Sequence, residues 1–339
     1  METPAVPMDT PVQMDGVTRR FNGVTAVHDL SLTVASGTIL GLIGPSGSGK
    51  TTTVKMLVGT LQPTDGEIRV LGEDPVRFSR TLREQLAYMP QLFSLYPDLS
   101  VRENVGFVAA LFGFSAFNRR GPIRQALELV HLWDKRDRLA RDLSGGEQRR
   151  LELACAVVHE PTVLFVDEPT AGIDPMLRLE IWEELRQIAD EGRTLLVTTQ
   201  YVAEAEYCDE VAILVEGELV ARDTPDELRR GTYGGEILEV DADRPVDPNM
   251  LANLPDVISV QQPSAQRLIV VVDAAGTASP RLMEALAENG ANVTRMAEYQ
   301  PSFDEIFSEL VERRQKEHAE AGEEADAGEA PKGESDRAG

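Results

Sequence analysis

The chain has 339 residues, enough for two domains, and no apolar run near the roughly 20 residues needed to span a bilayer, so it is not itself a channel. Its formal net charge of -24 opposes nonspecific binding to nucleic acid and to anionic lipid, since both depend on neutralising negative surfaces. Cys155 and Cys208 are too few and too far apart for a disulfide scaffold, and no Cys or His cluster has zinc spacing, which suits a reducing cytoplasm.

Residues 1–11 contain proline and are acidic rather than basic and apolar, so they read as a flexible tail and not a secretory signal. Residues 38–43 form a short apolar run expected as a buried strand, and residues 52–58 read as the start of a helix. Between them Gly44-Pro45-Ser46-Gly47-Ser48-Gly49-Lys50-Thr51 fits the G-x-x-x-x-G-K-[ST] phosphate loop. Glycines 44, 47 and 49 let the backbone bend so that N–H groups converge on the β- and γ-phosphates at a positive helix end. Lys50 adds a mobile point charge, and Thr51 can place its hydroxyl on Mg²⁺.

Downstream, Ser100 with Glu103 three residues on predicts a capping box at a helix start. Around it stand Leu92, Phe93, Leu95, Tyr96, Leu99, Phe107, Phe112, Phe114 and Phe117, a concentration unusual for a chain that is 5% aromatic. They serve either as the core of a small helical subdomain or, for Phe93 and Tyr96, as a docking surface. At Leu143-Ser144-Gly145-Gly146-Glu147-Gln148 a hydroxyl and two glycine N–H groups stand at what should be a helix N-terminus. Residues 163–166 are a continuous apolar run, the mark of a central parallel strand, and stop at Asp167-Glu168-Pro169. Ligand groups in open α/β sheets gather at the carboxyl ends of strands, so Asp167 is expected to hold magnesium and Glu168 to orient or deprotonate a water.

With these residues in view, the chain resembles the ATP-binding subunits of ABC transporters over residues 12–230, with a helical subdomain over about 92–159. The resemblance implies a P-loop, RecA-like α/β ATPase domain with antiparallel β and helical subdomains. Residues 143–148 look like the family signature, which touches the γ-phosphate of ATP held by the other subunit of a head-to-tail dimer. Phe21 matches the aromatic that stacks on adenine, Gln91 the glutamine between the two subdomains, and Ala171-Gly172-Ile173-Asp174 the loop crossing the dimer interface. Nucleotide contacts are thereby implied for Phe21, Gly44, Pro45, Ser46, Gly47, Ser48, Gly49, Lys50, Thr51, Thr52, Gln91, Ser144, Gly145, Gly146 and Glu147, and magnesium contacts for Thr51, Gln91 and Asp167. One departure is Gln200, where the family usually has a histidine: glutamine keeps an NH₂ donor and loses the titratable charge. The site is then either active, with Gln200 and Glu168 as its catalytic pair, or slow and degenerate. The run through Gln200-Tyr201 and Ala203-Glu204-Ala205-Glu206 is similar to daunorubicin-type drug-resistance exporter ATPases.

After Gly231, Gly234 and Gly235 the pattern reads strand 236–240, helix 248–254, strands 257–261 and 267–272, helix 279–288, strand 293–296 and a last helix from Ser302, capped by Glu305. That βαββαβ order predicts a small ferredoxin-like domain over 231–313. Its ending resembles exporter ATPase subunits with an accessory domain, leaving ligand sensing and dimer stabilisation both open. Residues 314–339, rich in Glu, Ala, Gly and Lys, are expected to be a disordered acidic tail. The expectation is an ATP- and Mg²⁺-dependent ATPase that dimerises, as a homodimer or with a related ATPase, to drive export through a separate integral membrane permease. It would sit peripherally on the cytoplasmic face of the membrane. Import, or non-transport work on ribosomes or DNA, are the alternatives. The second needs paired cassettes, basic arms or long coiled coils, and a GTP switch needs an Asn-Lys-x-Asp motif; the sequence has neither.

Overall fold

The computed structural model describes residues 10–92 and 94–328, so the expectations for residues 1–9, for Phe93 and for 329–339 lie outside the described residues. The chain divides into two compact units, Met1–Pro225 and Asp226–Gly339. In chain order the first contains β1 (Val12–Phe21), β2 (Val24–Val34), β3 (Ile39–Ile43), α1 (Lys50–Leu57), β4 (Asp65–Val70), α2 (Arg80–Arg83) and β5 (Leu86–Met89). It continues with α3 (Val101–Leu111), α4 (Arg120–Leu129), α5 (Gly145–Val157), β6 (Val163–Asp167), α6 (Pro175–Asp190), β7 (Thr194–Thr199), β8 (Glu210–Val215) and β9 (Glu218–Asp223).

Strands β3, β6 and β7 are buried at every position, which is why β3 and the first four residues of β6 read as apolar runs rather than alternating ones: both faces of a central parallel strand are covered. The six-stranded sheet has the order β5-β6-β7-β3-β8-β9, parallel except for β9. Because β3 and β6 both flank β7, the turn after β3 and the acids ending β6 emerge on the same side of the sheet, one strand apart. A second, antiparallel sheet, β2-β1-β4, shares a core with the first through Val12, Val27, Leu40, Val54 and Phe165. Helix α3 starts on the expected Ser100–Glu103 capping box. Of the aromatics around it, Phe112 stacks on His159 at 3.6 Å between centroids, while Tyr96 and Phe107 are 49% and 40% exposed and meet edge-on. Phe117 is fully open at 97%.

The second unit contains α7 (Pro225–Tyr233, from its second residue), β10 (Glu236–Ala242), α8 (Asn249–Ala252), β11 (Val257–Ser264), β12 (Arg267–Val272), α9 (Ala275–Glu288), β13 (Val293–Glu298) and α10 (Phe303–Gly328). The fully antiparallel order β11-β12-β10-β13 is the ferredoxin-like arrangement. Its core joins alternate residues of the sheet, Leu238, Val240, Val270 and Val272, to Leu282 and Leu286 of α9.

Two segments differ from the sequence reading. Helix α9 starts at Ala275, ahead of Ser279, and carries Pro280 inside it; the Ser279 hydroxyl donates to the Ala275 carbonyl at 2.7 Å, and Ala278 in the added turn is buried. Helix α10 continues through Gly328, past the start of the segment expected to be disordered, in keeping with the high helix propensity of Glu, Ala and Lys. Among the described residues no helix is long and apolar enough to cross a membrane.

Candidate nucleotide site

The phosphate loop turns from β3 into α1, and its last glycine is the cap: Gly49 has φ 101°, and a Cβ there would lie 2.5 Å from the Ala26 carbonyl oxygen. Lys50, the first helical residue, is buried, and its Nζ donates to the carbonyls of Gly44 (2.8 Å) and Pro45 (3.0 Å). The same ammonium stands 3.7 Å from Glu168 Oε1. Burial lowers the Lys50 pKa, and the charges of Glu168 and Asp167 oppose that shift. Thr51 Oγ1 donates to Asp167 Oδ1 at 3.2 Å, and Thr198 Oγ1 donates to the same oxygen at 2.6 Å.

Asp167 is wholly buried, yet among the described residues its Oδ2 has no hydrogen-bond partner, and the Ser48 hydroxyl in the loop is in the same condition. A buried carboxylate oxygen left open beside a threonine hydroxyl offers the oxygen donors a hard divalent cation takes, so the residues fit Mg²⁺. Next along the chain, Glu168 holds a left-handed backbone, φ 49°, which a non-glycine residue adopts only at a cost. Its N–H is fixed by both oxygens of Thr198, the carbonyl at 3.1 Å and Oγ1 at 3.0 Å. Its Oε2 accepts from Gln91 Nε2 at 2.9 Å. The structure brings Lys50, Thr51, Gln91, Asp167 and Glu168 together, and adds Thr198 of β7, which the sequence reading did not single out.

Gln200 follows β7 and is exposed; the preceding carbonyl, Thr199, accepts from Gly44 N–H at 3.3 Å, which sets Gln200 beside the start of the phosphate loop. Phe21, at the end of β1, is 39% exposed with the Arg19 guanidinium 4.5 Å from its ring centroid. Thr52 is half-buried in the first turn of α1, and Pro45, Ser46 and Gly47 are exposed.

The second motif stands on its own element. Ser144 caps α5 in a capping box: its hydroxyl accepts from Glu147 N–H, and the Glu147 carboxylate accepts from Ser144 N–H at 2.8 Å. Glu147 also pairs with Lys135, which holds its carboxyl below the ordinary range. The two glycines differ. Gly145 has open space around it, whereas a Cβ on Gly146 would meet Leu177 Cδ2 at 1.6 Å, so Leu177 of α6 leaves no room for a side chain there. Beyond it, Arg150 pairs with Glu180 and, without hydrogen-bond alignment, with buried Glu184 at 2.9 Å.

Burial pushes the Glu184 carboxyl up to about 7 against the pull of Arg150. The folded state thus binds more protons than the unfolded chain between about 4.5 and about 7, and stability falls as pH rises through that window. Glu184→Gln removes the titration. Relative to the parent, the variant is expected to gain about 2–3 kcal/mol of unfolding free energy between pH 5 and pH 8. Denaturant melts at both values read this directly, and a pH-independent difference would show that Glu184 ionises like an exposed carboxylate.

Sequence comparison agrees with this geometry. The family described as ABC transporter matches residues 27–171, and that described as ATP-binding protein DrrA1-3-like, C-terminal domain, matches residues 224–311. The chain is 35% identical over 315 residues to the daunorubicin resistance ATP-binding protein DrrA3 of Streptomyces coeruleorubidus, covering 92% of this chain and 99% of that one. To the probable multidrug ABC transporter ATP-binding protein YbhF of Escherichia coli it is 39% identical over 223 residues, 66% of this chain, and the match spans only 39% of YbhF. A solved structure of cbiO1 from Clostridium perfringens, described as part of the ABC transporter complex cbiONQ, superposes with a TM-score of 0.60 at 28% identity, covering 65% of this chain and 90% of that one. A phosphate loop facing an Asp-Glu strand end, a capped signature helix and the DrrA-like second unit make this chain a member of the ATP-binding subunits of ABC transporters, a family of ATPases.

Proposed function

We propose that the chain binds and hydrolyses ATP as a head-to-tail dimer and so drives export through a separate membrane permease, from the cytoplasmic face of the membrane. The observation that carries the reading is the convergence of Lys50, Gln91 and Glu168 on one another beside an Asp167 oxygen that has no hydrogen-bond partner among the described residues. Thr51 and Asp167, with Gln91 nearby, would hold Mg²⁺, which when bound neutralises developing charge on the phosphates.

The chain's own residues supply the rest. Glycine-rich N–H groups and Lys50 bind the phosphates, and Phe21 offers a half-open ring to the base. Glu168, held by Thr198 and Gln91, takes the proton of the attacking water at its carboxylate. Gln200, beside the loop, donates its NH₂ to the γ-phosphate without a proton role. Ser144 and Gly145, on an exposed helix start, meet the nucleotide of the second copy, so ATP shifts the population toward the closed pair by binding both faces only there.

Exposed Tyr96 and Phe107 give the permease an apolar contact, the role Tyr96 was expected to share with Phe93. Export over import is favoured by what the relatives are named for, drug resistance and multidrug transport. The second unit would stabilise the dimer.

The test is solution size. Hydrolysis-blocked Glu168→Gln chain with Mg²⁺-ATP is expected to run as a dimer by light scattering, and the same chain with Ser144→Arg as a monomer. A strictly monomeric Glu168→Gln chain, alone and on the reconstituted complex, would sink the reading.

A further inference from the structure

Five residues into the signature helix stands a charge with no place on a solvent-facing surface. Arg149 is 3% exposed, on the stripe of α5 that also buries Gly146 and Leu153. Nη2 donates to the main-chain carbonyls of Asp167 (3.0 Å) and Glu168 (2.8 Å), and Nε to that of Pro169 (3.0 Å). Nη1 donates to the carbonyl of Pro90 (2.8 Å), more weakly to that of Gln91 (3.4 Å), and to Glu152 Oε2 (2.8 Å). Glu152, buried one turn on, accepts from Ser94 N–H at 2.6 Å through its other oxygen.

The carbonyls that Arg149 caps are those at the carboxyl ends of β5 and β6, where the sheet ladder has run out of donors. A planar guanidinium can satisfy several of them at fixed angles; an ammonium cannot. One side chain thus grips the backbone on both sides of the Gln91–Glu168 hydrogen bond. It also sets the peptide planes flanking the Glu168 Cα, which holds its φ of 49°. We propose that Arg149, paired with Glu152, is the positioning residue for hydrolysis: it fixes the Glu168 carboxylate and transmits displacement of α5 and of the Gln91 segment to it. Contact made at Ser144 by a second copy then reaches Glu168 through one helix turn and one guanidinium. The inference rests on the reading of Glu168 as the proton acceptor.

Full-length Arg149→Lys, Glu152→Gln and Glu168→Gln chains are compared with the parent by fluorescent-ATP binding, by steady-state kcat and KM, and by melting. Arg149→Lys retains the charge and loses the fork. Its kcat is expected to fall about ten- to hundredfold, the cost of a misplaced catalytic group. Its ATP affinity and KM are expected to stay within about threefold, a split that general loosening of the site would not produce. Glu152→Gln is expected to lower kcat in the same direction, and the double variant no further than Arg149→Lys alone. If Arg149→Lys does not fold, Glu152→Gln decides, since it leaves the guanidinium in place: parental kcat overturns the proposal. So does an Arg149→Lys chain with parental kcat, or one whose affinity falls in step with kcat. Parental turnover in Glu168→Gln overturns the proton-acceptor reading and this proposal with it, whereas parental turnover in Arg149→Lys alone overturns only this one.

Discussion

Glu168→Gln is expected to slow single-turnover ATP hydrolysis by about 10²–10⁴-fold, the usual worth of a positioned general base, while ATP affinity changes by less than about threefold. The substitution is nearly isosteric and keeps an oxygen able to accept from Gln91 Nε2, now 2.9 Å from the carboxylate. It leaves untouched the two bonds from the Glu168 N–H to Thr198, so the left-handed backbone is held as before. What disappears is proton affinity at one atom. Nucleotide binding depends instead on the loop N–H groups and Lys50, which remain. Rapid-quench hydrolysis alongside equilibrium binding separates the two effects. A variant that turns over at the parental rate would transfer the proton-accepting role elsewhere, and one that loses affinity in proportion would make Glu168 a binding residue.

How much of this was legible in the sequence follows from where each interaction keeps its information. The phosphate loop is local: glycine spacing, lysine and threonine are consecutive, and the strand and helix on either side are short and strongly patterned. Asp167 and Glu168 were legible because a run with no polar residue ended on two acids. Arg149 was not, since all but one of its named acceptors are main-chain carbonyls lying up to 59 residues away, and a carbonyl has no side-chain identity to read. The one available signal was a charge on the buried stripe of α5, hidden by the flanking Gln148 and Arg150. Gly146 was read for its N–H group, and that it also makes room for Leu177 was not legible. In the second unit, strand order followed from the βαββαβ pattern. The helix read over 279–288 in fact starts at Ala275, with Pro280 inside it and Ala278 of the added turn buried.

Lys50→Ala is expected to weaken ATP binding about tenfold or more and to lower kcat by about 10²–10³-fold, the losses associated with one charge-assisted contact and one preorganised electrostatic donor. In the free chain the ammonium closes the loop on itself through the carbonyls of Gly44 and Pro45 and is the cation 3.7 Å from Glu168. Burial works against its charge while Glu168 and Asp167 sustain it. Removing the lysine leaves those acids without their cation in a nearly dry site, and the free variant should also melt below the parent. Adding Glu168→Gln to Lys50→Ala removes one of the stranded charges and should recover part of that loss. The four chains form a double-mutant cycle with an expected coupling of about 1 kcal/mol or more. Strict additivity would place Lys50 and Glu168 in separate roles. A Lys50→Ala chain hydrolysing within threefold of the parent would remove the lysine from the phosphate site and, with it, the physical reason for the loop.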